Sequence, residues 1–91
     1  MREDVYKILW DPSALKAFQK ISDKKLKGHI MDALENVLSH HPLAGKPLMG
    51  TYKGLRSYRL GVIRIVYEFY KSRLVIVVIE IAHRKDVYRP Y

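Results

Sequence analysis

Leu55-Arg56-Ser57-Tyr58-Arg59-Leu60 and Ile63-Arg64-Ile65-Val66-Tyr67-Glu68-Phe69-Tyr70 are separated only by Gly61-Val62. Both runs are rich in β-branched and aromatic residues, and a two-residue connection holding glycine marks a tight β-hairpin. A third run, Leu74 to Ala82, is apolar at every position but Glu80 and follows a second short turn around Lys71-Ser72. Its unalternating Val and Ile content predicts a strand in the sheet interior. The C-terminal half therefore reads as three consecutive antiparallel strands.

Before them lies a loop, Pro42 to Gly54, punctuated by Pro42, Gly45, Pro47, Gly50 and Gly54. Loops of this length inside a small domain are usually functional or mobile. Further back, Leu26, Ile30, Leu34, Val37 and Leu38 form one apolar stripe, the pattern of an amphipathic helix that ends at His40-His41-Pro42. Gly28 sits inside that helix at a cost of about 1 kcal/mol relative to alanine. Ala14, Leu15, Phe18 and Ile21 recur at helical spacing in a shorter segment, with Asp11 as N-cap and Pro12 at the first helical position. Ser22-Asp23 breaks that helix and caps the next, so the two form an antiparallel hairpin. Val5 to Trp10 reads as a first strand. The expected fold is α+β in the order β-α-α-β-β-β. One domain, 1–91, carries a helical hairpin packed on a small twisted antiparallel sheet.

The 91 residues leave no room for a cofactor domain beside a substrate domain, and 48% apolar content excludes disorder. The chain has no cysteine, hence no disulfide framework and no thiolate zinc site. No apolar run approaches the roughly 20 residues of a membrane span, and Met1 to Val5 lacks the apolar core of a signal peptide. A soluble, cytoplasmic protein is expected. The charge is lopsided. Residues 1–45 carry seven Lys/Arg against six Asp/Glu, whereas residues 46–91 carry ten against three, a net of +7. Six of those ten are arginine, which favours bidentate phosphate contact over plain solubility. A polyanion, or an acidic protein, is the partner such a half suits.

The chain ends His83-Arg84-Lys85-Asp86-Val87-Tyr88-Arg89-Pro90-Tyr91, directly after the buried strand. A buried strand fixes its last residues in space, so guanidinium, imidazole and phenol groups there can be aimed at a ligand. In-line attack on a phosphodiester builds negative charge on the non-bridging oxygens, which preorganised arginines stabilise. If the last two strands are antiparallel neighbours, Arg64 and Arg84 come close together. Crowded arginines favour the anion of a neighbouring acid. Tyr88 there can act as a general base or stack on an unpaired base, and His83 can transfer protons near neutral pH.

The run from Leu48 to Glu68, with Leu55-Arg56-Ser57-Tyr58-Arg59 and Arg64-Ile65-Val66-Tyr67 at its centre, resembles the central signature of the RelE/ParE toxin superfamily. The ending His83-Arg84-Lys85-Asp86-Val87-Tyr88 is similar to that of the RelE branch, and the element order agrees nearly end to end. The resemblance implies the toxin of a type II toxin–antitoxin pair, an endoribonuclease that cuts messenger RNA in the ribosomal A site. The attack is by the ribose 2′-hydroxyl, without metal or other cofactor. Its partners would be a cognate antitoxin and the ribosome with its message. By matching position, Arg64, Arg84 and Tyr88 are the expected catalytic residues. Lys53, Arg56, Arg59, His83 and Lys85 are expected to contact RNA. At two positions where RelE enzymes carry lysine, this chain has Leu55 and Ser57, and Val62-Ile63 replaces a polar pair before Arg64. The resemblance also leaves open the ParE branch, which inhibits DNA gyrase without catalysis, and an inactive relative.

Several of these residues also have a plain structural reading. Arg64 suits a solvated strand residue facing Glu80, and Tyr88 suits the edge of a core. Tyr52, Tyr58, Tyr67 and Tyr70 read as sheet residues, Trp10 and Phe18 as core. His40 and His41 read as a helix terminus, where a cation interacts well with the dipole.

Overall fold

The computed structural model describes residues 4–50 and 53–83, with side chains as far as Ala82. Strand β1 (Lys7–Trp10) leads into helix α1 (Pro12–Gln19) and helix α2 (Lys24–Asp32), which continues as a π-helical segment, Ala33–Leu38. A 3-10 turn (Pro42–Ala44) follows, then strands β2 (Lys46–Pro47), β3 (Arg56–Leu60), β4 (Ile63–Tyr70) and β5 (Val75–His83). No helix among the described residues is long and apolar enough to cross a membrane.

Both helices start where their caps predict. The Asp11 carboxylate accepts from Ser13 N at 3.2 Å and Ser13 Oγ at 2.6 Å. Asp23 accepts from Lys25 N at 3.0 Å and Leu26 N at 3.2 Å. Each cap satisfies N–H groups that the first helical turn leaves without partners. The expected stripe faces inward: Ile30, Leu34 and Leu38 are fully buried against Ile65, Tyr67, Ile76 and Val78 of the sheet. Trp10 packs on Phe18 with ring centroids 5.1 Å apart, closing the β1–α1 corner.

The helical hairpin and the four expected strands are present, a fifth strand is added, and β5 lies inside the sheet, whose order is β1-β5-β4-β3-β2. The sheet is mixed rather than wholly antiparallel, because β1 pairs parallel with β5, Lys7 opposite Val75 and Trp10 opposite Val78. An alternating pattern records which face a side chain takes but not which way its neighbour runs. Two hairpins fix the direction of β5. The helices return the chain to the start of β1, where Tyr6 N donates to Ser39 O at 2.8 Å.

The loop expected between Pro42 and Gly54 contains β2, a two-residue edge strand that pairs Lys46 with Ser57 and Pro47 with Arg56. Proline is tolerated there because an edge strand leaves one N–H row unpaired. Gly61 has φ +63°, at the position where a type II′ hairpin places glycine. The β4–β5 connection is longer than Lys71-Ser72 suggests. Leu74 takes a left-handed conformation, φ +53°, and β5 begins only at Val75.

Candidate nucleic-acid interface

Residues directly opposite in antiparallel strands share a face of the sheet. On the helix side of the β3–β4 hairpin, Leu60 faces Ile63 and Tyr58 faces Ile65, all part of the core or packed on it. Alternate residues point the other way: Ser57 faces Val66 and Arg59 faces Arg64. Two guanidinium side chains thus stand side by side on the face away from the helices. Such a pair is destabilising in isolation, since like charges opposite one another repel, and it favours an anion between them. Arg59 is exposed and Arg64 half-buried.

Lys46 joins this face from β2 through its pairing with Ser57. Together Lys46, Ser57, Arg59 and Arg64 line one side of a groove of about 490 Å³, closed at the β2 side by Pro47 and Leu48. The groove has no carboxylate among its described lining residues. Elsewhere on the same face, Glu80 stands opposite Val66, and Glu68 stands opposite Val77. Glu68 accepts from Tyr70 Oη at 2.6 Å, a bond that holds the Tyr70 proton and raises its pKa above the ordinary 10.0.

The structure places the expected site residues unevenly. Arg59 and Arg64 come together. Arg56, expected to touch RNA, has another partner: Nε donates to Gly45 O at 2.9 Å and Nη2 to Leu43 O at 3.3 Å. It lies opposite Tyr67 in the register, on the other side of the sheet from Arg59. Its charge anchors the 3-10 turn, so we read it as a structural arginine. Lys53 is exposed in the turn before β3 and does not line the groove. His83 is the last residue of β5, its backbone opposite Ile63, and Ala82 is opposite Arg64. The antiparallel neighbours required for Arg64 and Arg84 to meet are therefore present. Arg84, Lys85 and Tyr88 lie outside the described residues, as does the His83 side chain.

Beneath the groove the Tyr67 hydroxyl is buried, donating to Pro42 O at 2.6 Å and accepting from Gly45 N at 3.0 Å. Burial raises its pKa above 10.0, against the lowering pull of the Gly45 N–H and of the Arg56 charge. Gly45 has no room for a side chain, since a Cβ would fall 2.6 Å from Tyr67 Oη and 3.0 Å from Ser57 O. Tyr67 and Arg56 thus pin the turn, and the pinned turn aims Lys46. Two groove residues, Lys46 and Ser57, were not among the candidates read from the sequence. A two-residue strand containing proline has no periodicity to find it by.

Residues 8–88 match the family described as ParE toxin of type II toxin-antitoxin system, parDE. The chain belongs to that family. No curated protein matches the sequence. Among solved structures, the toxin–antitoxin complex RelBE2 of Mycobacterium tuberculosis contains a chain similar in fold, with TM-score 0.83 and 24% identity, covering 91% of this chain and 95% of that one. A YoeB/ParE toxin from Agrobacterium tumefaciens is 26% identical, with TM-score 0.74 and coverage of 85% and 96%. The isolated Escherichia coli RelE toxin is 22% identical, with TM-score 0.71 and coverage of 86% and 83%. This type II toxin thus has the RelE-like architecture of two helices on a five-stranded mixed sheet, and its basic groove lies on the face the helices leave open.

Proposed function

We propose that this toxin is a ribosome-dependent endoribonuclease that cuts messenger RNA in the A site and so arrests translation. The observation that carries the reading is the cross-strand pair Arg59 and Arg64, set in a groove with Lys46 and lined by no described carboxylate. In the proposed reaction the ribose 2′-oxygen attacks the adjacent phosphorus and the P–O5′ bond breaks. The products are a 2′,3′-cyclic phosphate and a free 5′-hydroxyl, so no water is consumed. Arg64, with Arg84, stabilises the charge that builds on the non-bridging oxygens. Tyr88 or His83 takes the 2′-hydroxyl proton, and the leaving 5′-oxygen is protonated in turn. The ribosome supplies the alignment of attacking oxygen and leaving group, so the free toxin should cut naked RNA poorly.

A cognate antitoxin is the second partner. Several structures similar to this chain are toxins solved together with their antitoxins, and the net charge of +8 suits an acidic or amphipathic segment that folds on binding. The cytoplasm, where messages and ribosomes are, is the proposed place of action.

The match to the ParE family favours a second reading, inhibition of DNA gyrase without catalysis. One experiment separates the two. The purified toxin is added to a cell-free translation reaction and message ends are mapped by primer extension. Ends that arise only on translated messages, within the A-site codon, and disappear with Arg64→Ala or Arg84→Ala support the nuclease. Intact messages together with blocked gyrase supercoiling would establish the inhibitor instead.

A further inference from the structure

We propose that Lys46 and Ser57 complete, with Arg59 and Arg64, a binding site for the non-bridging oxygens of a phosphodiester. The proposal deepens the nuclease reading and rests on it for its ligand, RNA.

Geometry places the four side chains together. Lys46 is opposite Ser57, and Arg59 is opposite Arg64, so β2, β3 and β4 contribute to one face. Neighbouring strands lie about 4.8 Å apart, which puts three cations over a patch about 10 Å across, the scale of a phosphate and its donors. All four residues line the same groove.

Ser57 supplies an independent sign of a missing ligand. The residue is only 6% exposed, yet its Oγ is buried with no hydrogen-bond partner among the described residues. Buried hydroxyls nearly always have a partner, and an exception calls for a functional reason. Its side chain springs from the groove face, so rotation about χ1 would turn this hydroxyl outward, where a phosphoryl oxygen entering between Lys46 and the arginines would accept from it. Charge-assisted bonds of that kind are short and strong.

Lys46 is also held in readiness. The residue before it, Gly45, donates to Tyr67 Oη and accepts from Arg56 Nε, so the peptides on both sides of Gly45, the second of which leads into Lys46, are fixed. Preorganisation of this kind lowers the ordering cost of binding. Tyr67 and Arg56 act here as positioning residues, because neither has to touch the phosphate.

The test is titration of the 15N-labelled full chain with inorganic phosphate, followed by NMR. Amides of Lys46, Ser57, Arg59 and Arg64 should shift together and saturate. Lys46→Gln should weaken binding roughly tenfold, and Ser57→Ala by about three- to tenfold, with the remaining spectrum unchanged. Lys46→Arg should keep affinity. Lys7→Gln, on the same face at the β1 edge, should leave it unaltered. Wild-type affinity in a folded Lys46→Gln variant would overturn the proposal. The parallel translation assay keeps the two readings apart. If phosphate binding depends on Lys46 while wild-type toxin leaves messages intact, the anion site stands and the nuclease falls. If messages are cut and Lys46→Gln alters neither cutting nor phosphate affinity, the nuclease stands and this site falls.

Discussion

Arg56 and Arg59 sit three residues apart on the same short strand, and they stand on opposite faces of the sheet. Arg56 points to the side of Tyr67, where its guanidinium donates to two carbonyls of the 3-10 turn. Arg59 points to the opposite side, beside Arg64, in a groove with no described carboxylate. An odd spacing in a strand reverses the face. Counting cations in a basic segment therefore overstates how many of them share the groove. One of these arginines belongs to the framework that aims the others.

The sharpest way to break this contrast is at Gly45, which joins the two regions. Gly45→Ala drives a methyl into Tyr67 Oη and the Ser57 carbonyl. We expect a loss of about 2–3 kcal/mol, the upper part of the range for core overpacking, and a thermal midpoint lower by about 10 °C or more by circular dichroism. An unchanged midpoint would mean that the turn is not pinned as described. Next in size is the pair of arginines themselves. Arg56→Ala should lower stability by about 1–2 kcal/mol, as charge-assisted bonds to backbone do. Arg59→Ala should stay within about 0.5 kcal/mol of the parent, as exposed substitutions do. The order should invert for message cleavage in translation reactions, with Arg59→Ala the more damaging. If both variants fall together in either assay, the division between framework and groove is wrong.

A smaller effect sharpens the framework side. Tyr67 is held neutral by burial, with its pKa above 10.0. The folded state therefore keeps its proton where the unfolded chain, titrating near 10, has released it. The resulting stability is full below about pH 10 and is lost as pH rises from there through the higher folded value. Denaturant midpoints measured from pH 9 upward should fall, and the fall should be shallower in Tyr67→Phe. Tyr70, which donates to Glu68, remains in both proteins and contributes to the residual slope.

Much of the framework was legible because it rests on local rules. Asp11-Pro12 and Asp23 mark both helix starts, Gly61 marks a hairpin, and Leu74 to Ala82 marks an interior strand. The pairing of Arg59 with Arg64 is implicit in the two-residue turn that sets the hairpin register, but the expectation drawn from the sequence was a meeting of Arg64 with Arg84. The contribution of β2 to the groove did not follow. β2 is two residues long and contains a proline, so Lys46 read as part of a loop. Arg56 read as an RNA contact because its partners are main-chain carbonyls, which carry no side-chain signature.

What the sequence by itself determined is the two helices with their caps, four of the five strands in order, and an excess of positive charge in the second half. These depend on periods of two and of 3.6 residues and on caps, all within a few positions of the residue concerned. Only the tertiary structure decided that β1 runs parallel to β5, that Tyr67 and Arg56 anchor the turn around Gly45, and that Lys46 and Ser57 share a groove with the arginines. Each of those is a contact between segments distant in the chain. Such a contact forms because burial and hydrogen bonding are satisfied over the whole molecule, and no single stretch of sequence encodes it.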